Sequence, residues 1–207
     1  MTGPDGLRLA VERYYSGRFA EHGPTARGVD WRDGSSQELR FEQLLKVADL
    51  GRAFSLTDYG CGYGALAAYL DRAGLVVDYR GFDLSEPMLQ HARRQHRGQN
   101  RFFTDQAGDL EPSDYTVASG VFNVRLESSI KDWEKYVLLN LAEMARLSVR
   151  GFAFNMLTSY SDPDRMRADL FYADPAWYFD HCKRNFSKSV ALLHDYGLYE
   201  FTIIVRL

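Results

Sequence analysis

Apolar residues in the first fifty positions recur with the spacing of helices. Over 7–19 they return every third or fourth position, which predicts a helix ending at the His-Gly-Pro break at 22–24. A second helix is expected from Ser35 or Ser36, both of which suit an N-cap, to about Leu50. The chain therefore begins with two predicted helices and no predicted strand.

From residue 54 onward, short apolar runs alternate with amphipathic segments. Strands are predicted at 54–59, 76–82, 101–104, 115–119, 151–156, 189–195 and 200–207, and helices at 65–72, 86–97, 131–147 and 175–184. This alternation predicts a parallel sheet with helices on both faces. The link across Gly197 is too short for a crossover helix, so the last two strands must be antiparallel. The predicted fold class is α/β, a doubly wound, seven-stranded, mostly parallel sheet with an antiparallel C-terminal hairpin.

Composition and charge remove several classes of function. The chain has 207 residues, 25 Lys and Arg and 28 Asp and Glu, and its net charge of −3 argues against a dedicated nucleic-acid binder. The basic run 91–97 is interpreted as a solvated helix face. Cys61 and Cys182 lack zinc-site spacing, so no metal is expected. With no apolar run of about 18 residues and no signal-peptide pattern, we expect a soluble, cytoplasmic protein without a membrane partner.

A glycine-rich loop follows the first predicted strand. Gly60, Gly62 and Gly64 stand between this strand and the next helix, where a ligand can approach the backbone and a helix N-terminus favours negative charge. Asp83 ends the second predicted strand, at about the spacing of an acid that accepts from ribose hydroxyls. Together these features predict a nucleoside-containing ligand across the carboxyl ends of the first two strands.

Three segments resemble motifs of the class I S-adenosylmethionine-dependent methyltransferases. Residues 58–64, DYGCGYG, are similar to that family's D-x-G-C-G-x-G motif, while 83–89 and 114–120 look like its signatures at the second and fourth strands. The resemblance implies S-adenosylmethionine as the cofactor and a Rossmann-like core. We accordingly divide the chain into a helical N-terminal cap, 1–50, and a cofactor-binding core, 51–207.

The resemblance also implies which residues contact the cofactor. The implied residues of the core are Asp58, Gly60, Cys61, Gly62, Asp83, Leu84, Asp105, Gln106, Ser119 and Gly120. Asp58 would orient the amino end of the methionine moiety through the loop backbone, and Asp83 would accept from both ribose hydroxyls. Leu84 would flank the adenine, and for the adenine amine Asp105 and Asp109 remain alternatives.

Four residues of the predicted cap could complete this site. Tyr14, Tyr15 and Trp31 would cover the sulfonium, since aromatic faces suit cations, or would belong to the core. Arg40 either pairs with the cofactor carboxylate or is a solvated helix charge.

No motif identifies the catalytic residues. The candidates are Asn123, just after the fourth strand, His194 beside Asp195, and Tyr14; His181 is a further candidate base. Asn155 either lines the acceptor pocket or caps a loop, and 161–172 is either a lid over the acceptor or a solvated connection.

The segment after the fourth strand narrows the substrate class. The sequence there departs from the Asn/Asp-Pro-Pro-Tyr box of many DNA and protein methyltransferases, which favours O- or N-methylation of a small molecule. Two alternatives remain. One is a nicotinamide-dependent oxidoreductase, although this sequence has no Tyr-x-x-x-Lys pair at the expected place. The other is a non-catalytic cofactor-binding partner subunit.

Overall fold

The fold alternates strands and helices as the sequence predicts. The structure, a computed structural model, describes residues 4–31 and 33–207. Its α-helices are α1 (Pro4–His22), α2 (Gly34–Leu45), α3 (Ala65–Arg72), α4 (Glu86–Gln95), α5 (Ile130–Arg146) and α6 (Pro175–Asn185). Its strands are β1 (Phe54–Tyr59), β2 (Val77–Phe82), β3 (Arg101–Thr104), β4 (Ser113–Ala118), β5 (Ser148–Leu157), β6 (Ser189–Leu193) and β7 (Glu200–Arg206). Short 3-10 helices lie at Ala26–Val29, Ala107–Asp109 and Pro163–Arg165.

The strands form a single seven-stranded sheet in the order β3-β2-β1-β4-β5-β7-β6. β3, β2, β1, β4 and β5 pair in parallel, whereas β7 is antiparallel to both β5 and β6. The predicted fold class and the antiparallel hairpin are therefore confirmed. Strand order reverses beside β1, and ligands of such sheets bind at the carboxyl ends of the strands at this point.

Helices cover both faces of the sheet and bury two apolar clusters. One cluster joins α5 and α6 to the sheet and contains the fully buried Trp133. The other joins α2, α3 and α4 to the opposite face and contains the fully buried Leu44 and Leu70. Two covered faces explain why the central strands read as continuous apolar runs rather than as alternating ones.

The bounds of α2 differ from the prediction at both ends. Its N-cap is Asp33, whose carboxylate accepts from the Ser36 N–H at 2.8 Å, so the helix begins before either predicted cap. It ends at Leu45 rather than near Leu50, because the N–H groups of the next three residues bond only three positions back. Shorter differences of two residues occur at the ends of α4 and β6.

The two helices of the predicted cap occupy different places. α1 contacts α4 and the 3-10 helix Ala26–Val29, whereas α2 packs on β5 and β7. The division at residue 50 stays a prediction about folding units. Throughout the described part of the chain, no helix has the length and apolar character needed to span a membrane.

Candidate active site

The loop after β1 is shaped by residues that tolerate a left-handed backbone. Gly60 and Gly64 have φ values of +85° and +88°, and the N–H groups of Gly60 and Cys61 both donate to the Phe82 carbonyl at 2.7 and 2.9 Å. A β-carbon at Gly60 would overlap with the side chain of Val121. Glycine is thus required here both by backbone conformation and by the close approach of the loop after β4.

Asp83 connects this loop to the end of β2. Its Oδ2 accepts from the Gly62 N–H and its Oδ1 from the Ser85 N–H, both at 2.8 Å. Burial raises the pKa of Asp83 above its usual value, and the backbone hydrogen bonds partly oppose that shift. The carboxylate is therefore held in a fixed orientation at the crevice.

A cavity opens at the carboxyl ends of β1, β2 and β4 and is covered by α1. Its lining consists of Arg8, Val11, Glu12, Tyr15, Val29, Trp31, Tyr59, Gly60, Gly62, Phe82, Asp83, Leu84, Met88, Ser119, Gly120, Val121, Tyr136 and Asn140. We call it the cofactor cavity. Eight of the predicted cofactor residues line it, namely Tyr15, Trp31, Gly60, Gly62, Asp83, Leu84, Ser119 and Gly120.

The donors and walls of this cavity suit a nucleoside with a cationic sulfur. Asp83 offers a carboxylate, and Leu84 and Met88 form an apolar wall. The Ser119 hydroxyl is buried in the lining and has no hydrogen-bond partner in the described part of the chain, which is costly unless a ligand supplies one. The face of Tyr15 adds an aromatic surface, as a cation favours.

Ten of the eighteen lining residues were not predicted as ligand contacts, among them Met88, Tyr136 and Asn140. Met88 lies in the 83–89 segment that resembles a family signature, although only Asp83 and Leu84 of this segment were predicted to contact the cofactor. Tyr136 and Asn140 are spaced by four residues on α5, and the Tyr59 hydroxyl donates to Asn140 Oδ1 at 2.8 Å. No local pattern reveals that this face of α5 reaches the cavity.

Asp58 and Cys61 lie behind the glycine loop rather than in the cavity lining. Asp58 is buried, and its Oδ2 accepts from the Tyr79 hydroxyl at 2.6 Å; burial raises the pKa of Asp58 to about 7. Asp58 thus has a hydrogen-bond partner on β2, and its expected effect on the methionine moiety through the loop backbone stays a prediction. The Cys61 thiol packs against Gly81, and burial raises its pKa, so it is a core thiol.

The alternatives proposed for the adenine amine both lie outside the cavity lining. Asp109 Oδ2 accepts from the Thr104 hydroxyl at 2.9 Å, and the Gln106 N–H donates to the same hydroxyl at 3.0 Å. Asp105 is half-buried beside them. These side chains form a turn after β3, so the structure brings neither acid to the lining.

Arg40 differs from both of its predicted states. It is only 7 % exposed, and its Nε donates to Glu200 Oε2 at 2.8 Å while its Nη2 donates to Glu200 Oε1 at 2.5 Å. Asn155 Nδ2 donates to the same carboxylate at 2.5 Å. Because Glu200 on β7 neutralises Arg40, the guanidinium is neither solvated nor available as a free cation for a cofactor carboxylate.

This ion pair belongs to a closed network around the loop after β4. The Arg40 guanidinium lies 3.8 Å from the centre of the Trp31 ring, and Asn155 Oδ1 accepts from the Gly120 N–H at 2.8 Å. Gly120 has φ +72°, and a β-carbon there would overlap with the Trp31 indole. We call Trp31, Arg40, Gly120, Asn155 and Glu200 the Trp31–Glu200 network. No sequence pattern indicated Glu200 as a member. Asn155 binds the Gly120 backbone N–H instead of facing a substrate.

A second cavity adjoins the first around Trp31 and Gly120. It is lined by Tyr15, Val29, Asp30, Trp31, Arg40, Gly120, Asn123, Val124, Leu157, Arg167, Leu170 and Glu200. Tyr15, Val29, Trp31 and Gly120 belong to both linings. We call it the acceptor cavity, because an acceptor placed there would face a ligand in the cofactor cavity.

Of the three predicted catalytic candidates, only Asn123 lines the acceptor cavity. The Tyr14 hydroxyl donates to Asp30 Oδ2 at 2.8 Å. Burial raises the pKa of Tyr14, and this hydrogen bond raises it further. His194 is exposed, and its ring contacts Tyr160. His181 stacks on Trp177 of α6 at 5.4 Å and lines neither cavity.

The segment predicted as a lid or a connection contributes to the acceptor cavity. Arg167 and Leu170 line it, and Arg167 Nη1 lies 3.4 Å from Asp30 Oδ2. The segment thus closes one side of the acceptor cavity.

Sequence comparison independently identifies the family. A family model described as "Methyltransferase domain" matches residues 57–148. The chain is also 51 % identical over 163 residues to a protein of Mycobacterium tuberculosis named "Putative methyltransferase Rv1506c", a match that covers 78 % of this chain and 98 % of that protein.

Solved structures share the fold over nearly the whole chain. The Burkholderia thailandensis 1,6-didemethyltoxoflavin-N1-methyltransferase, solved with S-adenosylhomocysteine, has a TM-score of 0.69 at 17 % identity and covers 100 % of this chain and 91 % of its own. The magnesium protoporphyrin IX methyltransferase of Synechocystis PCC 6803, solved with S-adenosylmethionine, has a TM-score of 0.62 at 17 % identity, with 96 % of both chains covered. The chain belongs to the class I S-adenosylmethionine-dependent methyltransferases, enzymes that use S-adenosylmethionine as their cofactor.

Proposed function

We propose that this enzyme methylates the oxygen or nitrogen of a small-molecule acceptor. The observation that carries the proposal is the acceptor cavity, which adjoins the cofactor cavity around Trp31 and Gly120. Seven separate parts of the chain wall it, so a compact molecule fits there better than a folded macromolecule.

In this proposal the cofactor lies along the carboxyl ends of β1, β2 and β4. Asp83 would accept from the ribose hydroxyls, Leu84 would flank the adenine, and Ser119 with Gly120 would lie beside the sulfonium. When bound, S-adenosylmethionine would supply a methyl group on a cationic sulfur: a lone pair of the acceptor oxygen or nitrogen would bond to the methyl carbon as the carbon–sulfur bond breaks, and S-adenosylhomocysteine would leave with the electron pair.

The residues of this chain contribute alignment and the exclusion of water. Asp30 and Glu200 are the carboxylates of the acceptor cavity, and each already faces a guanidinium. We therefore assign no general base, and the proton of the acceptor passes to solvent as the product leaves. Holding the reacting atoms at about 3–3.5 Å can itself supply a large part of the rate enhancement.

Names of structural neighbours support a small acceptor. The Burkholderia enzyme was solved with 1,6-didemethyltoxoflavin bound, and another neighbour is the human N-acetylserotonin methyltransferase, with a TM-score of 0.64 at 15 % identity.

Cys61 and Cys182 are both buried free thiols, which agrees with a reducing compartment, and we propose the cytoplasm as the place of action.

Transfer of a radioactive methyl group tests the proposal. The enzyme is incubated with methyl-labelled S-adenosylmethionine and, separately, with a library of small phenols, alcohols and amines, with a mixture of folded proteins, and with total RNA. We expect label in small molecules, and none in any sample with an Asp83→Ala variant. Label found only in protein or RNA would contradict the proposal.

A further inference from the structure

Asn123 carries a hydrogen-bond donor that has no partner among residues 4–31 and 33–207. The side chain is 4 % exposed, and its Oδ1 accepts from the Leu157 N–H at 3.0 Å. This bond fixes which end of the amide is oxygen, so the other end is the NH₂ group. Nδ2 is buried without a partner in the lining of the acceptor cavity. Leaving a buried donor unpaired costs about 1–3 kcal/mol, which points to a ligand that accepts from it.

The charged side chains of the acceptor cavity are, in contrast, already paired. Arg40 pairs with Glu200, with both side chains buried. Asp30 lies 3.3 Å from Arg18 and 3.4 Å from Arg167. A carboxylate or an ammonium group entering this space would have to break one of these pairs or stay unpaired, and an unpaired buried charge costs several kcal/mol. The cavity therefore favours an uncharged group with an oxygen lone pair.

A wider groove adjoins the acceptor cavity at Arg167 and Leu170. These two residues line both spaces, and the groove runs between 159–174 and the helices α5 and α6. Ile130 and Trp177 also line the groove. Ile130 and Trp177 are 58 % and 47 % exposed, which is a large apolar surface for a groove wall.

We propose that the acceptor is an uncharged molecule with an apolar or aromatic body, whose reacting end carries an oxygen that accepts from Asn123 Nδ2 and whose body lies in the groove beside Trp177. This inference rests on the proposed function. The body of the acceptor is the occupant because the groove shares the wall of Arg167 and Leu170 with the acceptor cavity.

Matched acceptors that differ in charge test the first half of this proposal. 4-Hydroxybenzamide is neutral, 4-hydroxybenzoate is anionic and tyramine is cationic, and neutral, anionic and cationic trios of alcohols are added on the same plan. We expect S-adenosylhomocysteine release with a kcat/KM at least tenfold higher for the neutral members. The isosteric variant Asn123→Asp keeps an acceptor for the Leu157 N–H and should lower that kcat/KM at least tenfold, while affinity for S-adenosylhomocysteine stays within twofold.

Acceptors that differ in length test the second half. Methyl and hexyl 4-hydroxybenzoate share one reacting end and differ only in the length of the apolar tail that would extend toward the groove. Trp177→Ala should raise KM for the hexyl ester at least fivefold and leave KM for the methyl ester unchanged. Phe102→Ala is the matched control, since Phe102 is an equally exposed aromatic residue, at 45 %, outside both cavities and the groove.

The possible outcomes separate this inference from the proposed function. A charged member that is turned over best, or equal effects of Trp177→Ala on both esters, overturns the inference while methyl transfer to a small molecule stands. An unchanged kcat/KM in Asn123→Asp also overturns it. If the protein binds S-adenosylhomocysteine and methylates no member of any set, both the inference and the proposed function fail.

Discussion

Removal of the Glu200 carboxylate should be among the most damaging single changes in this protein. In Glu200→Ala the Arg40 guanidinium, 7 % exposed, keeps its hydrogen bond to the Ser36 carbonyl at 2.6 Å and its contact with the Trp31 ring, but loses its counter-charge. Asn155 Nδ2 loses its acceptor in the same step. A buried charge without its partner typically costs about 3–5 kcal/mol, which is a large part of the roughly 5–15 kcal/mol stability of a domain.

A double variant separates the energy of the Arg40–Glu200 ion pair from the other stability losses caused by removing Glu200. Arg40→Met with Glu200→Leu removes both charges and fills similar volume, so its cost should be only about 0–2 kcal/mol. Urea denaturation of the unchanged protein, Arg40→Met, Glu200→Leu and the double variant gives the coupling energy directly. The control is Glu143→Ala, which breaks the exposed pair with Arg146 and should cost less than about 1 kcal/mol.

Two results would refute this reasoning. A loss below about 1 kcal/mol in Glu200→Ala would mean that Arg40 finds water or another partner. Single-variant losses that add to the double-variant loss within about 0.5 kcal/mol would mean that the two charges are not coupled in the folded state.

Three further changes test other parts of the site. Asp83→Asn should weaken S-adenosylhomocysteine binding about tenfold or more by calorimetry, because it removes a charged acceptor; unchanged affinity would exclude Asp83 from the ribose. Gly120→Ala should lower the free energy of unfolding and the cofactor affinity, because its β-carbon would overlap with Trp31. The loss of stability should exceed that of Gly197→Ala, because Gly197 also has a positive φ, +71°, but has open space around it. Burial raises the pKa of Asp58 from 3.8 to about 7, so the folded protein retains a proton that the unfolded chain releases near pH 4, and stability falls as pH rises from about 4 to 7. Asp58→Asn should flatten that fall in urea titrations at pH 5 and 8; parallel pH profiles would argue against a protonated Asp58.

The sequence predicted the fold well because its signals were local. β1, α3 and β3 have the predicted bounds, since apolar runs end at glycines or polar turns at each of these places. The position of the cofactor cavity could be predicted from the glycine loop at Gly60 and from Asp83, because both lie directly after predicted strands.

The parts that escaped prediction depend on contacts between distant residues. Arg40 and Glu200 are 160 positions apart, and no periodicity indicates that α2 lies across β7. Asp105 and Asp109 sit in the expected stretch of chain, yet the turn after β3 directs them away from the cavity lining. Tertiary packing decides such contacts, and local pattern does not contain it.

A crystal structure of the complex with S-adenosylhomocysteine would show where the ribose and the sulfur lie. We expect the ribose hydroxyls within hydrogen-bond distance of the Asp83 carboxylate and the sulfur beside Ser119 and Gly120, facing the cavity that Asn123 lines. A ribose bound elsewhere, or a sulfur that faces away from this second cavity, would contradict this expectation.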